Sequence, residues 1–141
     1  MRDVCATKPA RRIARWSMLL PFVLLGFAAQ AAEPSFPFDH ELRLDATPQR
    51  GTKRIPSLQV AENGDVEIDL WCVSGKGQAA IADNTITIVP TSMSNNQCSP
   101  DQLQKDEALL ADITQVTGWR RQGDLVVLNG PKTLRYRMST N

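Results

Sequence analysis

Trp119, Arg120 and Arg121 stand together, and Arg135, Tyr136 and Arg137 follow within twenty residues. Arg135 and Arg137 alternate, so on a strand they share one face. Two guanidinium forks side by side can grip a phosphate or a carboxylate. A solvated sheet face whose arginines pair with Glu67 and Asp69 accounts for the same residues, and is the preferred expectation. Trp71 is a second binding candidate. In "VEIDLWC" (66–72), alternation puts Val66, Ile68, Leu70 and Cys72 on one face and Trp71 on the other. An exposed tryptophan beside charge marks an interface. A helix, leader or loop lying over it is the preferred alternative.

Catalytic chemistry finds little to work with. His40 is the single histidine, set between Asp39 and Glu41, and reads as solvated. No serine sits in a G-x-S-x-G elbow, and "GKG" is too short for a phosphate loop. Asp65, Glu67 and Asp69 lie on one strand face about 7 Å apart. That spacing suits a carboxylate pair or a calcium ion, but a solvated edge explains it more simply. Two distant cysteines and one histidine make no zinc signature. The chain is therefore expected to be no enzyme, with no cofactor and no metal.

The first residues read as a targeting segment. Arg2, Lys8, Arg11, Arg12 and Arg15 precede a 14-residue apolar run, Trp16 to Ala29, and Ala29-Gln30-Ala31 is an A-x-A cleavage signal. The run is shorter than the ~18–20 residues of a membrane span and contains Pro21. Residues 1–31 are expected to be a signal peptide, with no stable membrane span after cleavage. Five of the 16 basic and one of the 15 acidic residues leave with it, so 11 face 14, a net of −3. Bulk attraction to nucleic acid is not expected. The remaining 110 residues suffice for one small domain, expected to be monomeric.

Stepping along that domain, "AEPSFPFDH" (32–40) reads as an extended leader that packs its two phenylalanines on the fold. "ELRLDA" (41–46) is a first strand, "TPQRGTKR" (47–54) a loop and "IPSLQVAE" (55–62) a second strand. "NGD" (63–65) turns into the strand "VEIDLWC", since Asn and Gly tolerate positive φ. "SGKG" (74–77) reads as a turn, "QAAIA" (78–82) as a short strand and "TITIVP" (85–90) as the next. "TSMSNNQ" (91–97) is then a loop.

Ser99, Pro100 and Gln102 form a helix start with a capping box. Leu103, Leu109, Leu110, Ile113 and Val116 make an apolar stripe at helical spacing, and Gly118 reads as the stop. "WRRQ" (119–122), "LVVLN" (125–129) and "TLRYRM" (133–138) complete a meander. The fold class is α+β: a curved antiparallel sheet or partial β-barrel with one covering α-helix.

Loss of Cys5 with the signal leaves Cys72 and Cys98 in an oxidising compartment, where a disulfide is the default. Two cysteines allow one intramolecular pairing. It would staple a strand end to the helix entrance, and closing a 27-residue loop stabilises by roughly 3–4 kcal/mol.

The order of elements resembles the META domain, the HslJ-like family of bacterial envelope proteins. The residues that carry the likeness are Asn63-Gly64, Cys72, "TITI", "TSMSNNQCSP", "ALLADITQV", "GDLVVL" and "LRYRM", between about Leu42 and Met138. The family often has G-C-N where this chain has Trp71-Cys72-Val73, and its loop before Cys98 is shorter. The resemblance implies a domain at 41–141 in the periplasm or secreted, with no established catalysis and a role in envelope stress. On this footing the expected function is non-enzymatic binding of an envelope protein or small ligand. Inhibition of a hydrolase through the 91–97 loop is the alternative.

Overall fold

The computed structural model describes residues 35–50, 52–94 and 97–139. The signal-peptide expectation for 1–31, and residues 32–34 of the expected leader, lie outside them. Among the described residues are eight strands and one helix. The strands are β1 (Glu41–Leu44), β2 (Ser57–Val60), β3 (Asp65–Asp69), β4 (Ser74–Ala82), β5 (Thr85–Ser94), β6 (Gly118–Gln122), β7 (Leu125–Asn129) and β8 (Leu134–Met138). The helix, α1 (Pro100–Thr114), connects β5 to β6. Every strand pairs antiparallel with its sequence neighbour, and β1 pairs with β8, so the curved sheet closes into a barrel.

The closure is uneven. β1 meets β8 over three residue pairs, Leu42 with Met138 through Leu44 with Tyr136. β5 meets β6 at Thr85 and Gly118 alone. Helix α1 lies over that narrow seam and buries Leu109 and Ile113 in the core, with Val116 just beyond its end. Alternation fills the interior: Leu42, Val60, Val66, Ile68, Ile86, Ile88, Val126, Leu128 and Tyr136 are almost wholly buried. The barrel is a packed core, stabilised by apolar burial worth about 1.5–3 kcal/mol per large side chain. No described helix is long and apolar enough to cross a membrane.

Four local expectations need correction. "SGKG" is not a turn but the first part of β4, and the chain reverses earlier, where Leu70 N–H donates to the Val73 carbonyl at 2.8 Å. Gly75 and Gly77 serve a different need there. A Cβ on Gly75 would run into the Ser92 carbonyl oxygen and Met93 Sδ, so bare backbone lets β4 and β5 fold tightly across a bulge at Lys76/Gly77. Next, β5 continues through Ser94, so most of the expected 91–97 loop is strand, paired back to Ser74–Lys76. Third, β3 ends at Asp69, before Trp71 and Cys72, which breaks the alternation. Last, α1 ends at a Gln115 cap, and Gly118 opens β6. The helix start is as expected: Ser99 accepts from Gln102 N–H, and the Gln102 side chain accepts from Ser99 N–H.

Candidate functional site

Six residues were marked as a binding surface by sequence, and the fold scatters them. Trp119 is buried at the end of the barrel where β4 turns into β5. Its ring meets Phe36 edge-on at 5.1 Å and its Nε1–H donates to the Asp83 carbonyl. Arg121 turns back and donates to the Gly123 carbonyl at 2.8 Å. Arg120 and Arg135 share a row across Val127. Arg137 pairs with Asp45 at 3.5 Å and Asp124 at 3.4 Å. The expected pairing with Glu67 and Asp69 is therefore absent among the described residues. Asp69 pairs instead with Arg54 at 3.8 Å, and Glu67 stands opposite Lys76. β3 and β8 lie on separate parts of the ring, with β1 and β2 between them, so neither set of side chains meets the other.

Trp71 is not outward. It is 7% exposed and belongs to the core. The cause is Asp106, a helix residue 2% exposed. Its carboxylate accepts from the backbone N–H groups of Trp71 at 2.8 Å, Cys72 at 2.9 Å and Val73 at 2.7 Å. Three donors compensate a buried charge that would otherwise be costly. They also pull the β3–β4 turn against α1 and rotate Trp71 inward. Cys72 and Cys98 are bonded to each other with Cα atoms 5.9 Å apart, as expected, so the turn is held to the helix twice.

The same end of the barrel carries a recess of about 410 Å³. Its walls come from the β1–β2 loop, α1 and the β7–β8 turn, and Trp71 lies between them. It brings together Trp71 and Arg135, two of the six marked residues, with four that were not marked: Gln49, Lys105, Asp112 and Lys132. Lys132 donates to Asp112 at 2.7 Å. Lys105 and Arg135 have no ion-pair partner among the described residues. Gln49 Oε1 is buried and accepts no hydrogen bond. Tyr136, in the core, also has a hydroxyl without a partner. Burial, and secondly the charge of Asp112, raise its phenol well above the ordinary range.

A larger recess, about 480 Å³, runs over the outer face of β2 to β5 between Gln59, Asp65, Glu67, Lys76 and Gln78. Asp65 accepts from Gln78 and Asn63, which hold its carboxyl below the usual range, and Lys76 stands opposite Glu67 in the register. His40 is at the surface, against the Phe38 carbonyl.

Of the missed residues, Asp106 had a readable signal. It falls three residues after Leu103 and three before Leu109, an acid inside an apolar stripe. Gln49, Lys105 and Lys132 had none, because they come from separate loops and the solvent side of a helix.

Comparison with known proteins bears on the fold. The family model described as "META domain" matches residues 40–140. An NMR structure of a protein from Burkholderia xenovorans is 18% identical, with a TM-score of 0.56 over 74% of this chain and 84% of that one. A second NMR structure is 14% identical, with a TM-score of 0.56 over 71% of this chain and 89% of that one. These likenesses establish a shared fold. No curated protein shows significant similarity to the chain.

Proposed function

The chain belongs to the META domain family, and we propose from this that it is a non-enzymatic binding domain of the cell envelope, working through the recess beside Trp71. The observation that carries the reading is positive charge beside an apolar wall: Lys105 and Arg135 line the recess with no ion-pair partner among the described residues, while Asp112 and Asp45 are paired with Lys132 and Arg137. Ligand sites are recesses with an apolar wall and a few convergent polar groups, and this one fits that description. The solid barrel interior directs any ligand to the outside. A disulfide between Cys72 and Cys98 suits an oxidising compartment and supports a periplasmic or secreted location. A stress-related role remains part of the proposal through the family alone.

The hydrolase-inhibitor alternative has less support. Residues 91–94 of its loop belong to β5, and Cys98 is bonded to Cys72. The test of the binding reading is affinity capture by residues 32–141 from envelope extract, repeated with a Lys105→Glu/Arg135→Glu variant. The expected result is a ligand or partner retained by the wild type and lost by the variant. Equal capture by both would remove the recess from the reading. Sustained turnover of ester, phosphate or glycoside model substrates by the pure domain would overturn its non-enzymatic part.

A further inference from the structure

Resting on that reading, we infer that the recess beside Trp71 takes a small aromatic anion. Two observations define this chemistry separately. The first is the sign of the free charge. Asp112 and Asp45 both line the recess, but Lys132 occupies the first and Arg137 the second. Lys105 and Arg135 remain, so the uncompensated charge facing the space is positive. Arg135 offers a planar fork that suits a carboxylate or a phosphate oxygen pair.

The second is the wall. Trp71, Leu44, Leu109 and Leu134 present apolar surface on the barrel side. A flat ring lying there would shield it from water and add contact with the positive groups around its edge. The volume of about 410 Å³ falls in the range of small-molecule sites.

The probes are three compounds of similar size: indole-3-acetate and naphthalene-1-acetate, each with a ring and an anion, and indole-3-ethanol, which lacks the charge. Each is titrated into ¹⁵N-labelled residues 32–141 while amide and indole N–H shifts are followed. Indole-3-acetate should move Gln49, Trp71, Lys105 and Arg135 and saturate. Naphthalene-1-acetate should shift the same residues, and indole-3-ethanol should bind at least about five-fold more weakly. Lys105→Gln or Arg135→Gln should weaken indole-3-acetate about ten-fold while leaving the rest of the spectrum in place, since both side chains are exposed.

Equal binding of indole-3-ethanol at the same residues would overturn the anion and leave a recess that binds ligands, so the broader reading would survive. Shifts confined to the Gln59–Glu67–Lys76 groove would overturn the site itself. No shift with any probe, alongside capture that depends on Lys105 and Arg135, would overturn the ligand class and keep the binding function.

Discussion

Asp106 is the residue on which the rim depends. A helix side chain normally buried as a leucine would leave three N–H groups of the β3–β4 turn without acceptors. Asp106→Ala should therefore lower unfolding stability by about 2–4 kcal/mol, read from urea denaturation, with Asp106→Asn milder because one acceptor oxygen survives. A change under about 0.5 kcal/mol would show that the turn holds itself. Tyr136 makes the opposite case. Its hydroxyl has no partner, so Tyr136→Phe should alter stability at neutral pH by less than about 1 kcal/mol. The pH dependence has a definite sign. The folded phenol is raised above the ordinary 10.0, so the folded state holds that proton more tightly than the unfolded chain. The contribution is complete below pH 10 and is lost as pH rises through 10 towards the folded value, at up to about 1.4 kcal/mol per pH unit. The Phe variant should lack that component, with lysine and arginine titration common to both. As this is the single tyrosine, absorbance at 295 nm reports its ionisation directly, and a wild-type midpoint near 10 in the folded protein would contradict the burial argument.

Helix α1 and the β3–β4 turn act as one element although 26 residues separate the bonded cysteines. The disulfide sits at the helix entrance and Asp106 lies two turns further along, so together they set both the position and the direction of the helix over the barrel. The seam between β5 and β6 needs this cover, because one residue pair joins the strands there. Cys72→Ser and Cys98→Ser should each cost roughly 2–5 kcal/mol and should match one another, since each breaks the same bond. The amides that lose hydrogen-exchange protection should be those of α1 and of β5 near Ile86. If protection is lost first in β1 or β8, the staple does not govern the seam. The exposed ion pairs of Arg43, Arg54 and Arg137 are worth about 0–1 kcal/mol each and contribute little to this ranking.

At the scale of the molecule, a closed ring leaves few ways to bind. The interior is occupied, the end near β4–β5 is filled by Phe36 and Trp119, and α1 packs Leu109 and Ile113 into the core beside Trp71. The recess is therefore where the loops of three hairpins and the helix fail to meet. The whole-chain proposal of export also belongs here. On this proposal cleavage at the A-x-A signal would leave Ala32 as the mature terminus, and intact mass of the protein purified from the periplasm should equal that of residues 32–141. A full-length mass in the membrane fraction would overturn it. Phe36 would give a terminus cleaved there a foothold only four residues on, because its ring is buried against Trp119.

Local patterns were legible wherever the physics is local. The capping box at Ser99, the Asn63-Gly64 turn, the alternation in β3 and β8 and the choice of disulfide partners all depend on near neighbours or on simple counting, and the structure has each of them. Glycines misled the reading at 74–77, because a glycine demanded by close strand approach looks the same in sequence as one demanded by a turn. Trp71 is covered, as preferred, but not by strand alternation, because Asp106, 35 residues away, holds the turn that ends the strand before it. The recess could not be read at all. Gln49, Lys105, Lys132 and Arg135 become neighbours only when the ring closes, and which of their charges stays free is decided by Asp45, Asp112 and Arg137, partners brought together by the tertiary fold rather than by spacing along the chain.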